Sequence, residues 1–237
     1  RVFSSKASNW KASSPKGPLI AVDSAGIISF IEVATGELIP ATGQVSGGGM
    51  EPIWSPDGQW LALHHRWTSQ FFLINVATLE VSSVETTGAE SYVAWSPDSQ
   101  QLLLVEIDEE SSTLSFFDPH NLMISASIEI PAPIVIQGVL DANIVFATVA
   151  GAVWSPDGTR IALTFSEQDV TKIAILDLPT MEINEIWQRE DEAEIRLIDW
   201  SPDGAWILFS LQQAPHHSEI NVIHYQGGLA YSVYTFL

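Results

Sequence analysis

The chain is 237 residues long, 46% hydrophobic, and carries a formal net charge of −20 from 29 acidic and nine basic residues. So acidic a body repels phosphate backbones and anionic lipid surfaces, which argues against nucleic-acid binding and membrane association. There is no cysteine, so disulfides, thiolate catalysis and cysteine-held metals are excluded.

Residues 1–17 form a basic, Ser-rich lead segment with Arg1, Lys6, Lys11 and Lys16 and no acid. It reads as a solvated tail, or as a segment lying on the acidic remainder, where 29 acids face only five bases. Residues 18–237 read as a single domain. A β-rich run at 27–33 leads into the turn Ala34-Thr35-Gly36-Glu37. Gly47-Gly48-Gly49 lacks the Lys-Ser/Thr of a phosphate loop and reads as a connection. Next comes Trp54-Ser55-Pro56-Asp57-Gly58, a turn in which Pro presets φ and Gly takes the positive φ. An apolar run at 61–63, the cluster His64-His65-Arg66-Trp67, a run at 71–76 and the turn Ala77-Thr78-Leu79-Glu80 follow.

Trp95-Ser96-Pro97-Asp98-Ser99 opens another unit, with runs at 102–105 and 114–117 around an acidic loop holding Asp108, Glu109 and Glu110. Residues 131–150 are the most apolar stretch. Asp141-Ala142-Asn143 divides it into two β-like halves, so it reads as a hairpin-like insertion rather than a membrane span. Trp154-Ser155-Pro156-Asp157-Gly158 precedes runs at 161–165 and 173–178, then the acids Glu190, Asp191, Glu192 and Glu194. Trp200-Ser201-Pro202-Asp203-Gly204 opens the last unit, with runs at 207–209 and 220–224. No stretch sustains a helical period.

The motif serines Ser55, Ser96, Ser155 and Ser201 stand 41, 59 and 46 residues apart. Stepping back 41 from Ser55 reaches Ser14-Pro15-Lys16-Gly17, a degenerate fifth copy with Ser13 in the Trp slot. A period of about 40–45 residues is the size of one propeller blade. The expected fold is all-β: a β-propeller of four-stranded antiparallel blades with five recognisable units, five- or six-bladed. The Trp-Ser-Pro-Asp-Gly turn and apolar strand, with Asp118-Pro119 and Asp177-Leu178-Pro179-Thr180 farther on, resemble the WD-like repeat of TolB-type β-propellers. Asn75, Glu32 and His224 depart from the Asp of that second slot. The resemblance covers nearly the whole chain and implies a fold. It leaves function open, since the repeat serves envelope adaptors, gating propellers of serine peptidases and secreted binding proteins. It also implies an extracytoplasmic location, in the periplasm or at the cell surface.

In such a blade, with strands a to d, the a–b and c–d turns share one face. The b–c loops and d–a connections share the other, and the variable loops are where recognition is expected. That second face collects Glu106, Asp108, Glu109, Glu110, Glu167, Asp169, Glu190, Asp191, Glu192 and Glu194, either as a dock for a basic protein partner or as a solubilising rim. The expected contact residues are Arg66, Trp67, Glu109, Glu110 and Glu192, since Trp and Arg are enriched at hot spots. Trp54, Trp95, Trp154 and Trp200 read as spacers between neighbouring sheets. Asp57, Asp98, Asp157 and Asp203 read as turn residues, too far apart for a general acid/base pair. The His clusters lack a metal-ligand spacing, no nucleophile elbow is present, and no cofactor is expected. The leading expectation is a non-catalytic scaffold for protein assembly. Its alternatives are the propeller of a larger enzyme, or a small-ligand or glycan binder whose channel draws on Glu51, Ser91, Tyr92, Arg196 and Asp199.

Overall fold

The computed structural model describes residues 11–24, 27–43, 45, 50–64, 70–87, 90–134, 151–167, 170–190, 194–214 and 217–236. Among them every regular element is a strand. The first sheet holds β1 (Lys11–Ser13), β2 (Leu19–Ser24), β3 (Ile27–Glu32) and β4 (Leu38–Pro40), and the second β5 (Glu51–Trp54), β6 (Trp60–His64), β7 (Gln70–Asn75) and β8 (Val81–Glu85). The third holds β9 (Glu90–Trp95), β10 (Leu102–Ile107), β11 (Ser112–Asp118) and β12 (Met123–Ile130). The fourth holds β13 (Ala152–Trp154), β14 (Arg160–Glu167), β15 (Val170–Asp177) and β16 (Glu182–Arg189). The fifth holds β17 (Glu194–Trp200), β18 (Trp206–Ala214), β19 (His217–His224) and β20 (Tyr231–Phe236). Within each sheet strand order follows chain order, so every sheet is an antiparallel meander closed by short turns. The chain is therefore all-β, with five four-stranded sheets among the described residues.

The repeated motif builds the same a–b turn four times. The serine hydroxyl donates to the aspartate Oδ1: Ser55 to Asp57 at 2.7 Å, Ser96 to Asp98 at 2.6 Å, Ser155 to Asp157 at 2.7 Å, and Ser201 to Asp203. The same Oδ1 accepts the backbone N–H two residues on, from Gln59, Gln100, Thr159 and Ala205. The serine Oγ also accepts the N–H that opens the next strand, at Trp60, Gln101, Arg160 and Trp206. Gly58, Gly158 and Gly204 sit at φ of 73°, 69° and 69°, the left-handed region that glycine enters without Cβ strain. Gly58 is doubly constrained, because a Cβ there would lie 2.7 Å from Ser14 Oγ of the preceding turn. The second of the four copies uses Ser99 at φ 64°, and its Oγ accepts the Asp57 N–H of the preceding turn at 3.0 Å. That cross-turn bond offsets the roughly 1–2 kcal/mol a non-glycine residue loses there.

Three of the indoles tie their sheet to the one before it. Trp54 Nε1 donates to Ala12 O at 3.2 Å, Trp95 to Ile53 O at 3.0 Å, and Trp200 to Val153 O at 3.0 Å. Each acceptor immediately precedes the Trp slot of the earlier unit, and Ala12 precedes Ser13, the degenerate slot. Burying an indole removes roughly 200 Å² from water. At about 25 cal/mol per Å² that is at most about 5 kcal/mol.

Two compact units emerge, one from residues 1–106 with 115–126, the other from 107–114 with 127–237. The sequence reading expects a single domain over 18–237. In the first unit, Ala21, Ile28 and Phe30 pack with Leu61, Leu63, Phe72 and Ile74. On the other side of the second sheet, Trp60, Ala62, Phe71 and Leu73 pack with Val93, Trp95, Leu104 and Phe117. In the second unit, Ala162, Ile173 and Ile175 pack with Ile195, Leu197, Trp200, Ile207 and Phe209.

Two expectations change. The first strand begins inside the lead segment, because residues 11–13 pair with 20–22 as the a strand of the degenerate copy. The b–c loops are also shorter than the polar sequence implies. β14 and β15 pair out to Glu167 and Val170, and β18 and β19 out to Ala214 and His217. Polar residues at these strand ends extend the ladder, since the backbone bonds favour pairing whatever the side chain. Of the 131–150 insertion, residues 135–150 lie outside the described residues. At its start, Ile134 is buried, bridges Phe165 and donates its N–H to Ser112 Oγ at 2.7 Å.

Candidate functional site

Three consecutive exposed acidic residues stand at the tip of the β10–β11 hairpin. Ile107 is buried at one end and Ser112 at the other, while Asp108, Glu109 and Glu110 are exposed. The Asp108 N–H donates to Ser111 O at 2.9 Å and closes the turn. The Ile134 bond to Ser112 Oγ braces its base. Three consecutive carboxylates on one braced turn hold a strong negative potential in place, which suits a cationic partner. Glu190, after β16, is exposed as well.

Of the rest of the expected acidic face, Glu106 is placed otherwise than read, and several residues lie outside the described ones. Asp169, Asp191 and Glu192 lie outside the described residues, as do Arg66 and Trp67. Glu106 is not a surface acid. It is 8% exposed, and its carboxylate accepts both the N–H and the hydroxyl of Thr87. A buried carboxylate persists when such bonds satisfy it. His64 likewise belongs to β6 rather than to a loop, is buried, and shares a 2.9 Å hydrogen bond between Nε2 and Ser91 Oγ. A Ser–His bond is one half of a nucleophilic arrangement. Ser91 is only 1% exposed, so this bond serves as a polar tie between the second and third sheets. Sequence reasoning missed both partnerships, because each joins residues on different strands. The Ser99 departure from glycine was the one local signal of a cross-turn bond.

Among the described residues, no group of three or more His, Asp or Glu is placed to hold a metal ion. No helix among them is long and apolar enough to cross a membrane. Asp157 is held below the usual carboxylate range by the Ser155 hydroxyl and the Thr159 N–H, with Arg160 adding to the effect. Asp203 is lowered by the Ser201 hydroxyl and the Ala205 N–H. At Asp57 burial pushes upward, but bonds from Ser55, the Gln59 N–H and Ser99 outweigh it and hold the carboxyl low. These shifts belong to turn construction rather than to a reaction centre.

Comparison with solved structures places the architecture. The chain is similar to a chain identified as TolB from Agrobacterium tumefaciens, with a TM-score of 0.60 and 17% identity, over 96% of this chain and 80% of that one. It is similar to the Cps50 (Swd1) β-propeller domain of Myceliophteria thermophila, with a TM-score of 0.60 and 12% identity, over 99% of this chain and 73% of that one. The fold is that of a TolB-type β-propeller. A chain of Kuenenia stuttgartiensis hydrazine synthase is also similar, with a TM-score of 0.65 and 15% identity, over 94% of this chain and 64% of that one, less than two thirds of its length. No protein-family model matches the chain, and no curated protein matches it.

Proposed function

We propose that the chain is a non-catalytic propeller scaffold that binds a protein partner with a basic surface, through the acidic tip at residues 108–110. The observation that carries this reading is the placement of three exposed carboxylates on a turn braced by buried residues at both ends. Fixed charge on a rigid support steers a partner and sets register without ordering cost. Arg66, Trp67 and Glu192 complete the proposed contact set. The net charge of −20 turns the scaffold away from nucleic acid and anionic lipid. An extracytoplasmic location is part of the proposal and rests on the TolB-type resemblance.

The test is gentle recovery from the native source of the wild type and of a Glu109→Lys/Glu110→Lys variant, with co-purifying proteins identified by mass spectrometry. The expected result is a basic partner retained by the wild type, lost from the variant, and released as salt rises, while both proteins melt together. A wild type that purifies alone, or a partner indifferent to the reversal, would end the reading. A second reading, a propeller carried by a larger enzyme, draws on the likeness to the hydrazine synthase chain. A catalytic domain in the complete gene product would favour it.

A further inference from the structure

The repeat places the dipeptide Asp-Gly in three of its turns, at 57–58, 157–158 and 203–204, and nowhere else in the chain. This pairing is prone to spontaneous isomerisation, because glycine has no side chain to shield its amide nitrogen. The glycine nitrogen attacks the carbon of the protonated aspartate carboxyl and forms an N–Cγ bond. The Cγ–O bond breaks, and the hydroxyl leaves as water with the amide proton. Water then opens the five-membered succinimide at one of its two carbonyls. One opening restores aspartate. The other leaves isoaspartate, whose main chain runs through the side-chain carbon. Mass is unchanged overall, and no reagent besides water enters.

The turn opposes each of these requirements. The attacking N–H is engaged: Gly58 donates to Ser55 O at 2.9 Å, Gly158 to Ser155 O at 2.9 Å and Gly204 to Ser201 O at 2.8 Å. The target carboxylate is pinned, since its Oδ1 takes the serine hydroxyl on one side and the N–H of Gln59, Thr159 or Ala205 on the other. These carboxyls also titrate low, so the protonated form that supplies the leaving hydroxyl is scarce at neutral pH. The three copies are not tied equally. Asp157 accepts a further bond from the Thr159 hydroxyl at 2.8 Å and lies 3.7 Å from Arg160. The Asp57 N–H is tied to Ser99 Oγ at 3.0 Å. Asp203 has neither addition, and its carboxylate takes the Ser201 hydroxyl and the Ala205 N–H.

We propose that the Ser-Pro-Asp-Gly turn is a chemical lock on three latent modification sites: in the folded chain it keeps the Asp-Gly bonds closed to succinimide formation, and isoaspartate enters where a turn opens, first at Asp203. Local opening exposes each bond in proportion to the fraction of time its turn is undone. The product cannot return to the turn. Its main chain is longer by one carbon and its carboxylate starts from a different atom, so the Ser201 hydroxyl and the Ala205 N–H lose their shared acceptor. One event at Asp203 therefore unpins the corner between β17 and β18 for good.

The test incubates the full chain at neutral pH, folded and in urea. Isoaspartate at each Asp-Gly bond is read by peptide mapping with electron-transfer fragmentation, which separates the two isomers at equal mass. The expected result is accumulation at all three sites in urea and a rate at least about tenfold lower at each in the folded chain, where Asp203 is the fastest. Ser155→Ala should raise the folded rate several-fold at Asp157 and leave Asp57 and Asp203 as they were. The other two sites report in the same molecule, so a variant that merely unfolds is recognised when all three reach the urea rate. Thr159→Val then serves in its place, since it removes one hydroxyl bond from Asp157 and keeps the backbone N–H. It should raise the Asp157 rate too, by a smaller factor. Equal rates folded and in urea would overturn the proposal. So would an Asp157 rate indifferent to these substitutions, or a folded chain that isomerises at Asp157 ahead of Asp203.

Discussion

Each aspartate of the repeated turn has two jobs, accepting the serine hydroxyl and accepting the N–H that closes the corner. Both bonds favour the ionised form, so Asp57, Asp157 and Asp203 titrate below an unfolded carboxyl, which sits near pH ~3.9. A depressed carboxylate stabilises the fold above its unfolded pKa, and that stabilisation is lost as pH falls through the folded value. Stability should therefore hold through neutral pH and decline below about pH 4. Asp157→Asn keeps an acceptor but removes the charge. It is expected to lower the urea midpoint at pH 7 slightly, by about 1 kcal/mol or less, and to make the acid decline shallower. Urea titrations of both proteins from pH 7 to acid read the result. An unchanged acid slope would show that this carboxylate does not carry the effect.

At the scale of elements, what joins one sheet to the next is the indole and the apolar faces beside it. Trp95 is 8% exposed, packs with Trp60, Leu102 and Phe117, and donates to Ile53 O. Trp95→Phe retains most of the packing but leaves the Ile53 carbonyl unpaired and a gap beside it. The expected cost is about 1–3 kcal/mol. Trp95→Ala also opens a cavity and should cost about 3–5 kcal/mol. Trp54 is only half-buried and its bond to Ala12 O is longer, 3.2 Å, so Trp54→Phe should cost less than Trp95→Phe. Chemical denaturation of the three variants checks the ranking, and equal losses at both positions would contradict it. The c–d turns are built differently. Leu79, Leu122 and Met181 hold φ of 63°, 59° and 57° where the first sheet uses Gly36 at 71°. Leu79 offsets that strain by packing against the core of the first two sheets, whereas Leu122 is 43% exposed.

At the scale of the whole molecule, charge is the strongest influence beyond the core. With 29 acids and nine bases, few carboxylates can find a cation, and Arg160 already serves both Asp157 and Asp177. The folded chain therefore repels itself. Raising NaCl from about 0.01 to about 0.15 M shortens the screening length from about 30 to about 8 Å. Tm should rise across that range, as differential scanning calorimetry would measure, and a falling Tm would mean that attractive pairs outweigh the repulsion.

By itself, the amino-acid sequence determined the period, the Ser-Pro-Asp-Gly turns and the first slot of the degenerate copy at Ser13. These rest on local chemistry: a proline that presets φ, a glycine that takes positive φ, and a side chain that bonds two residues away. It also marked the acid run at 108–110, because consecutive carboxylates need no fold to be noticed. Only the tertiary structure decided that Glu106 and His64 are buried and partnered, and that Ile207, Phe209 and Leu211 of β18 are buried against the fourth sheet while Trp206 is exposed. Each of these depends on a strand far off in the chain. Burial is a property of what arrives opposite a residue, and one strand of alternating apolar side chains looks the same whether or not a neighbouring sheet comes to cover it.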